Sequence, residues 1–479
     1  MASEHPFLLA GSWERSAHAL PVVNPYDNST VGSTWLAGDP EFERATVAAV
    51  AAAAEMWRLP AYERANILMR AFKELTERRE EIGRTIAGEA GKAIRDALGE
   101  ADRGTMTFQV AAEEARRIGG EVIPMDLAPH GRNRIAFTRR YPIGPVAAIS
   151  PFNFPFNLTA HKLAPAIAAG NPIVLKPASK TPLSALILAE ALDHAGVPKG
   201  ALSVLPMSRR TGDRLVTDER YKLLTFTGSS SVGWGMKARA GRKKVILELG
   251  GNAGVIVDET ADLDFAVRRV AVGGFALAGQ SCISVQRVYV HRRLFDRFAA
   301  ALVARVEMLK VGDPMDPATD IGPMIEEPEA ARVDEWVKEA VREGAHVLTG
   351  GTRLGPALFA PTVLTGVPET AKVCAQEVFA PVVGLYPFDD FADAIARVNR
   401  SSFGLQAGVF TNDLLRTLVA MDALEVGGVI VNDVSAWRID HMPYGGVKDS
   451  GIGREGPRYT IEEMTEPKLI VINRDVAQG

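Results

Sequence analysis

The chain has 479 residues, of which 47% are hydrophobic and 23% charged, and its formal net charge is −4. Such a composition is typical of a globular protein of roughly three folding units. The near-neutral charge argues against a nucleic-acid partner or an anionic membrane surface. The two cysteines, Cys282 and Cys374, form no CxxC pair, which excludes a disulfide framework and favours a reducing, cytoplasmic location.

Two segments bear on targeting and membrane insertion. Residues 1–15 begin without basic charge and hold only a short apolar run, so they predict a strand and turn rather than a secretory signal. Residues 141–160 carry no charge but contain four prolines, Pro142, Pro145, Pro151 and Pro155. A lipid-facing helix does not accommodate that many breaks in its hydrogen bonding. We therefore expect a soluble protein.

The first third of the chain predicts helices followed by a β-hairpin. Asp39-Pro40 supplies a helix cap followed by proline at the first helical position, and alanine-rich periodic segments then run to Gly119-Gly120. Residues 121–140 contain two β-prone runs joined by a turn-rich segment. This hairpin has no evident core of its own, so we expect it to pack against something else.

Short apolar strands then alternate with helices twice. The first alternation predicts strands at 145–149, 172–175, 202–205, 223–226 and 245–247, with helices near 157–168, 181–194, 211–217 and 230–239. The second predicts strands at 254–257, 288–290, 347–348, 407–410 and 429–431, with helices near 262–278, 293–309, 328–343, 390–400 and 413–421. This pattern is typical of α/β folds with parallel, doubly wound sheets, and it predicts two such domains in sequence.

Three residues that can carry chemistry follow these elements. Cys282 has small polar neighbours that would keep a thiol reachable, although this segment alone favours an inert cysteine. Glu248 ends a strand, where a carboxylate is either a general base or an ordinary solvated group. Asn153 follows another strand and is either an oxyanion donor or a turn residue. The run Gly228–Gly233 opens a helix that suits a pyrophosphate, or is a plain turn.

Taken together, these segments resemble the aldehyde dehydrogenase superfamily over essentially the whole chain. The resemblance rests on seven motifs in the same order and spacing: Ser150-Pro-Phe-Asn-Phe-Pro, Leu175-Lys-Pro-Ala, Phe226-Thr-Gly-Ser, Leu247-Glu-Leu-Gly-Gly, Gly279-Gln-Ser-Cys, Gln376-Glu-Val-Phe-Ala-Pro and Pro443-Tyr-Gly-Gly-Val-Lys. Any one of them could occur by chance, whereas the ordered set is specific. It implies NAD(P)-dependent oxidation of a small aldehyde to its acid through a thiohemiacetal and a thioester.

The resemblance implies roles for individual residues. Cys282 matches the nucleophile, Glu248 the base that activates water, and Asn153 the oxyanion donor, which acts with the backbone N–H of Cys282. The residues that match the cofactor site are Lys176, Ser179, Gly228, Ser229, Gly233, Leu249, Glu377 and Phe379. The motifs depart from the common pattern at Gln376 and Ala380, where glutamate and glycine are usual. These two departures put the fine tuning of the site in doubt, but not the class of reaction.

Ser179 and the following Lys180 bear on the choice of cofactor. Family members that prefer NAD often carry a glutamate at the position of Ser179, and its charge would repel a 2′-phosphate. We therefore expect NADP to be accepted, with NAD still usable. A surface lysine without a role remains an alternative for Lys180.

The substrate candidates flank the last motif. Arg438 and His441 could meet an anionic tail, because arginine binds carboxylate, phosphonate or phosphate with a planar fork. A surface arginine paired with Asp440 is the alternative. Phe154 and Tyr444 are further candidates for the substrate site, with Arg103 and His161 as weaker ones. In appearance the chain is closest to the lactaldehyde, succinic semialdehyde and phosphonoacetaldehyde branch.

The resemblance also implies a domain organisation. Residues 1–119 and 142–250 would form a Rossmann-like cofactor domain, 251–442 a catalytic thiol domain, and 120–141 with 458–479 a small β oligomerisation segment. Exposed strands of that kind need a partner, so we expect a homo-oligomer, either a dimer or a tetramer.

Three other functions stay open at this point. A CoA-acylating relative would transfer the acyl group to CoA, but such members lack the base that Glu248 matches. A catalytically silent protein would have no reason to carry Cys282, Glu248 and Asn153 together. A thiol protease would need a histidine base motif, which the sequence lacks. No clustered Cys/His motif predicts a metal site.

Overall fold

The computed structural model describes residues 3–475. The helices are α1 (Asp39–Arg58), α2 (Ala61–Glu77), α3 (Arg79–Ala90), α4 (Ile94–Ala115), α5 (Asn157–Ala169), α6 (Leu183–His194), α7 (Arg209–Thr217), α8 (Ser230–Arg239), α9 (Leu263–Phe275), α10 (Arg292–Val306), α11 (Glu327–Arg342), α12 (Lys372–Ala375), α13 (Phe391–Asn399), α14 (Leu414–Ala423) and α15 (Pro457–Glu463).

The strands are β1 (Ser3–Glu4), β2 (Phe7–Leu9), β3 (Ser12–Glu14), β4 (Ala19–Val23), β5 (Thr30–Trp35), β6 (Val122–Ile123), β7 (Arg134–Pro142), β8 (Val146–Ile149), β9 (Ile173–Lys176), β10 (Leu202–Val204), β11 (Leu223–Thr227), β12 (Lys244–Glu248), β13 (Ala253–Val257), β14 (Val285–His291), β15 (His346–Thr349), β16 (Thr362–Thr365), β17 (Val382–Phe388), β18 (Phe403–Gly404), β19 (Gln406–Phe410), β20 (Gly428–Val431), β21 (Val447–Lys448), β22 (Gly451–Ile452) and β23 (Thr465–Asn473).

The first large sheet has the order β22-β12-β11-β8-β9-β10-β2-β3. Its strands β12, β11, β8, β9 and β10 are parallel, and antiparallel strands close both edges. Strand order reverses beside β8, which creates the crevice where ligands bind in open α/β sheets. Asn153, Gly228 and Leu249 follow the carboxyl ends of β8, β11 and β12, and Lys176 ends β9, so all four belong to the same edge.

The second large sheet has the order β15-β16-β17-β14-β13-β19-β20 and is parallel except for β15. The prediction of two doubly wound α/β units is therefore confirmed. The sequence reading missed β16 and β17, and it took β15 for an ordinary strand of the alternation. β15 is mostly exposed and pairs antiparallel at the edge of the sheet.

Apolar burial explains why the predicted strands form. The strands β8 and β11 are buried at every residue, as expected for parallel strands that are covered on both faces. The uncharged stretch 141–160 supplies β8 and the start of α5, and all residues of α5 are buried. Within residues 3–475, no helix is long and apolar enough to cross a membrane.

The helix α1 begins one residue earlier than its sequence pattern suggests. Gly38 is the cap residue, and its N–H donates to the Glu41 carboxylate at 2.8 Å, so Asp39 lies inside the helix. Such a bond satisfies one of the backbone donors that a helix start leaves free.

A small antiparallel sheet with the order β23-β7-β6 contains the predicted hairpin. The predicted oligomerisation segment 458–479 has two parts in the described residues. Ile461 and Met464 pack in the core of the first α/β unit, and the extended strand starts only at Thr465. Residues 476–479 of that segment, like residues 1–2, lie outside the described residues.

Candidate active site

The backbone before Cys282 has an unusual conformation. After α9 ends, Leu277, Ala278 and Gly279 have φ values of 58°, 53° and 68°, in the left-handed region. A Cβ at Gly279 would lie 2.0 Å from the Ala380 carbonyl oxygen, so only glycine fits there. Such conformations cost roughly 1–3 kcal/mol each and cluster at functional sites. This turn fixes where Cys282 lies, in the loop just before β14 (Val285–His291).

The thiol of Cys282 lies on the wall of a cavity and contacts a polar group. Its Sγ is 2.9 Å from the hydroxyl oxygen of Tyr444. Burial raises the pKa of the thiol to about 12, whereas the hydrogen bond with Tyr444 and the charge of Arg438 lower it. The charges of Glu377 and Glu248 act with burial. Taken together, these effects favour the neutral thiol over the thiolate.

Glu248 ends β12 with a buried carboxyl group. Both oxygens lack a hydrogen-bond partner among the residues that the structure describes. Burial and the nearby charge of Glu455 raise its pKa well above the usual value, whereas the charges of Arg438 and Lys162 lower it. Oε1 lies against Gly445, where a Cβ would approach to 2.9 Å. A proton acceptor with an unused hydrogen-bonding capacity is thus present at the sheet edge.

Buried charges surround Glu248. The Lys162 ammonium donates to the hydroxyls of Thr225 and Thr227 at 3.1 and 2.8 Å and lies 3.4 Å from Glu455. Glu455 also pairs with Arg438 at 3.4 Å. Burial works against the ionised form of Glu455, but the charge of Lys162 lowers its pKa.

Cys282 and Glu248 line one cavity of about 70 Å³. Its walls include Phe154, Arg103, Arg438 and Tyr444, together with Asn157, Leu158, Thr227, Ser281, Ile283, Ala436 and Glu455. A second cavity of about 280 Å³ shares Arg103, Phe154, Ser281 and Ala436 with the first. The shared residues join the two cavities, so the larger one forms a vestibule to the thiol.

Asn153 lies beside this cavity rather than on its wall. Its Nδ2 donates to the Gln280 carbonyl oxygen at 3.0 Å, two residues before Cys282. A side-chain amide carries two N–H donors, so this bond leaves one for a second acceptor. The contact ties Asn153 to the loop that carries the thiol.

A network centred on Asp440 holds the polar wall of the cavity. Arg103 forms a two-pronged bond to Asp440 at 2.8 and 2.9 Å, and Asn157 and His161 contact the same carboxylate at 3.0 and 2.9 Å. Burial opposes its charge, but the hydrogen bond from His161 and the charge of Arg103 hold the pKa of Asp440 well below its usual range.

Arg438 and His441 have different surroundings. The Arg438 guanidinium carbon lies 3.7 Å above the Tyr444 ring, and Nε is buried with no hydrogen-bond partner in residues 3–475. Arg438 is thus buried at the cavity and is not a surface arginine, but the predicted pair with Asp440 is present, with 3.7 Å between Nε and Oδ1. His441 is exposed and lies outside both cavity walls, because the Met442 N–H donates to the Ile439 carbonyl in a turn that separates it from Arg438. The structure does not bring His441 into this site.

The candidate cofactor residues follow the strands of the first sheet. Lys176 packs against α7, where a Cβ at Gly212 would lie 2.6 Å from its side chain. Burial and the charge of Arg209 lower the pKa of Lys176 to about 8. Ser179 is exposed, and Lys180 pairs with Glu326 at 3.0 Å.

The start of α8 offers a glycine-rich surface. Ser229 caps α8 without a side-chain cap bond, and a Cβ at Gly233 would lie 2.4 Å from the Leu249 side chain. The Gly228 N–H donates to the Glu248 carbonyl oxygen at 3.1 Å. The helix start therefore lies directly beside the strand that carries the candidate base.

Glu377 and Phe379 come from the second α/β unit. Glu377 accepts the Gly251 N–H at 2.8 Å, and burial raises its pKa to about 7. A Cβ at Gly250 would lie 2.4 Å from its carboxylate. Phe379 has a φ of 53° and contacts the Phe152 ring edge-on, with 5.9 Å between centroids.

Sequence reasoning missed four functional candidates of this site: Lys162, Arg209, Asp440 as an organising group, and Glu455. One signal could have identified Lys162, because it is a charge inside an otherwise apolar segment. The others have ordinary local sequences. Within the described residues, no cluster of three potential His, Cys, Asp or Glu ligands could hold a metal ion.

Two doubly wound units that bring a thiol and a buried carboxylate to one cavity define an α/β protein with a candidate thiol active site. A model of the aldehyde dehydrogenase family matches residues 13–470, so the chain belongs to this family and is an aldehyde dehydrogenase.

Curated relatives and solved structures agree with this assignment. The chain is 49% identical over 464 residues to 3-sulfolactaldehyde dehydrogenase of Priestia aryabhattai, covering 97% of each chain. It is similar to aldehyde dehydrogenase 21 of Physcomitrella patens in complex with the reaction product succinate, with a TM-score of 0.97, 48% identity and 99% of each chain covered. It is also similar to glyceraldehyde-3-phosphate dehydrogenase of Methanocaldococcus jannaschii complexed with NADP, with a TM-score of 0.91, 41% identity and coverage of 95% and 99%.

Proposed function

We propose that this enzyme oxidises a short aldehyde with an anionic tail to its carboxylic acid, using Cys282 as nucleophile and NADP or NAD as hydride acceptor. One observation carries the proposal: a single cavity contains the Cys282 thiol, the unpartnered Glu248 carboxylate and two arginines.

The first step joins the substrate to the enzyme. Cys282 loses its thiol proton to water, and its thiolate forms a bond to the aldehyde carbon while the carbonyl pair moves to oxygen. The Cys282 N–H and the second N–H of Asn153 stabilise that oxyanion. The contact between Asn153 and the Gln280 carbonyl supports this role, because it holds the amide next to the nucleophile.

The bound cofactor supplies the ring that accepts hydride from the resulting thiohemiacetal. By the resemblance, Lys176 and Glu377 would bind its two riboses, Phe379 would pack at the nicotinamide end, and the N–H groups at the start of α8 would bind the pyrophosphate. The glycine cradle beside Glu377 supports the fit, since a Cβ at Gly250 would fill it.

The second step releases the acid. Glu248 takes a proton from a water molecule, whose oxygen bonds to the thioester carbon while Cys282 leaves as thiolate. Burial and the charge of Glu455 raise the pKa of Glu248, which makes its carboxylate a stronger proton acceptor than an ordinary glutamate. Transfer to CoA is the rival second step. Acid release measured with and without CoA separates the two, since hydrolysis needs no CoA.

An anionic tail is favoured by the arginines of the cavity wall. Arg438 Nε is buried and lies 3.7 Å from Asp440 Oδ1, too far for a hydrogen bond, and a buried donor of this kind costs about 1–3 kcal/mol unless a ligand accepts from it. Arg103 lies where the vestibule meets the inner cavity. The sulfonate named for one relative and the succinate bound to another are anions of suitable size.

NADP acceptance is favoured by the charges around Lys176. Ser179 adds no carboxylate there, and Arg209 places a second cation near Lys176. Lys180 is a weaker candidate, because its ammonium is already paired with Glu326.

The small sheet supports a homo-oligomer, dimer or tetramer. Leu469, Val471 and Ile472 on the edge strand β23 are each about half exposed, and Val122 on β6 is 83% exposed. An apolar edge of this kind is stabilised by pairing with another chain.

A panel of aldehydes with both cofactors tests the proposal. Sulfonate-, carboxylate- and phosphonate-tailed aldehydes are compared with neutral aldehydes of equal length. We expect higher kcat/KM for the anionic group, and we expect Arg438→Ala to raise KM for that group more than for the neutral one, because Arg438 also stacks on Tyr444 beside Cys282. Equal kcat/KM for neutral and anionic aldehydes, or an unchanged KM in Arg438→Ala, contradicts the proposal that the substrate has an anionic tail. An NADP efficiency a hundredfold below that with NAD contradicts the cofactor assignment.

A further inference from the structure

Tyr444 contacts the sulfur directly, unlike most of the cavity wall. Its hydroxyl oxygen is 2.9 Å from Cys282 Sγ, and the hydroxyl has no other hydrogen-bond partner in residues 3–475. The ring is only 3% exposed. A buried phenol without a partner would leave a polar group desolvated, so the contact with sulfur satisfies both groups.

The ring itself is held from its other side. The Arg438 guanidinium stacks on it at 3.7 Å, and Arg438 is in turn fixed by Glu455 and by His161, which lie 3.4 and 3.3 Å from its Nη2. A cation over an aromatic face attracts the ring electrostatically. A phenylalanine would keep both the packing and this stacking, so the hydroxyl alone makes the contact with sulfur.

We infer that the Tyr444 hydroxyl is a catalytic group that donates a hydrogen bond to the Cys282 thiolate and so helps it to form before the aldehyde arrives. This inference rests on the proposed role of Cys282 as nucleophile. Tyr444 keeps its own proton throughout, and the thiol proton leaves to water. The donor direction is fixed chemically, because a thiolate has no proton to give and accepts only.

The charged groups around the sulfur determine how strongly the thiolate of Cys282 is disfavoured, and the Tyr444 hydroxyl acts against that effect. Burial and the carboxylates of Glu377 and Glu248 disfavour the thiolate, whereas Tyr444 and the Arg438 guanidinium favour it. Burial raises the pKa of Tyr444 well above its usual value, so its hydroxyl stays protonated and able to donate. The groups that favour the thiolate are thus one neutral donor, Tyr444, and one cation, Arg438.

The test is the pH dependence of Cys282 alkylation by iodoacetamide in the full-length, cofactor-free protein. The variant is Tyr444→Phe. Hydrogen bonds to charged groups correspond to a shift of about one to two pH units. Because burial raises the pKa of the thiol to about 12, the shift of the midpoint is read from the alkylation rate at a fixed pH below it, which we expect to fall by about tenfold or more. A purely structural tyrosine would not move this midpoint.

The chain offers a matched control. Tyr386 is a buried tyrosine whose hydroxyl faces the other thiol, Cys374. Tyr386→Phe should leave the Cys282 midpoint unchanged, and Cys282→Ser supplies the background from Cys374. Replacement of Tyr444 by a ring-fluorinated tyrosine keeps the shape but strengthens the donor, so it should lower the midpoint.

An unchanged midpoint in Tyr444→Phe, or a fluorotyrosine shift in the same direction as that of phenylalanine, overturns the inference. Should Tyr444→Phe fail to fold, the fluorotyrosine protein alone decides. These outcomes are independent of the proposed function, because alkylation requires neither substrate nor turnover. Failure of the proposed function would instead appear as acid production by Cys282→Ser.

Discussion

Glu248 is expected to destabilise the fold above acidic pH, and replacing it by glutamine should reverse that effect. The carboxyl group is 3% exposed, and neither oxygen has a hydrogen-bond partner in the part of the chain that the structure describes. A buried, unsatisfied polar group costs about 1–3 kcal/mol, and a charged one costs more. Because glutamine keeps a buried amide, we expect Glu248→Gln to raise the free energy of unfolding by only about 1 kcal/mol.

The sign of the pH dependence follows from the raised pKa of Glu248. In the unfolded chain a glutamate titrates near about 4.3, so above that pH the unfolded state has lost a proton that the folded state still binds. Stability therefore falls as pH rises from the unfolded pKa to the folded one. Below the unfolded pKa both states are protonated and the penalty is absent.

Thermal unfolding of the cofactor-free protein at about pH 4.5 and about pH 8 measures this effect. A change of 1 kcal/mol shifts Tm by roughly 2–4 °C in a chain of 150–250 residues, and by less in a longer one. We expect Glu248→Gln to raise Tm by about 1–2 °C at the higher pH and by little at the lower. Thioester hydrolysis should be lost in the same variant.

Glu89 supplies the contrast. It is 1% exposed and its pKa is raised by burial to about 7, but its two oxygens accept the N–H groups of Leu183 and Ser184. Glu89→Gln loses one of these acceptors and should lower Tm. A lower Tm for Glu248→Gln at pH 8, or an equal gain at both pH values, would refute the reasoning about Glu248.

Three further predictions concern the tail, the cofactor and assembly. Arg103→Met should lower kcat/KM for anionic aldehydes about tenfold or more beyond its effect on neutral ones, because one charge-assisted bond of about 1.5–3 kcal/mol to the tail is lost, whereas the lost pair with Asp440 affects both groups. Arg79→Met, which removes a similar two-pronged pair with Asp102 outside the site, should change neither. Ser179→Glu should shift the kcat/KM ratio toward NAD by at least about tenfold, and an unchanged ratio would count against the assigned 2′-phosphate position. Ile472→Lys on β23 should reduce the mass measured by light scattering, whereas a monomeric wild type would contradict the proposed oligomer.

Local sequence pattern determined much of the fold, because buried parallel strands are continuous apolar runs. β8 and β11 were predictable for this reason. β16 and β17 escaped prediction because Pro361 precedes the one and Gly384 and Pro387 interrupt the other. Their strand structure depends on neighbours far along the chain.

The positions of candidate site residues were predictable where these residues lie at the ends of parallel strands. Glu248 and Asn153 follow parallel strands, whose carboxyl ends share one edge of the sheet. The irregular segment 437–443 gave no such guidance, because its side-chain directions follow from a turn rather than from a period. Arg438 therefore points into the cavity while His441 is exposed. The pair between Lys180 and Glu326 joins distant parts of the chain and has no local signal.

The central claim concerns covalent capture of the aldehyde by Cys282. The most direct measurement is acid production by Cys282→Ser, run with the wild type under saturating cofactor and aldehyde, and accompanied by mass analysis of the wild-type protein quenched during turnover. The account predicts that acid production is lost in the variant and that an acyl group is found on the Cys282 peptide of the wild type. Acid formation by Cys282→Ser at the wild-type rate would contradict it.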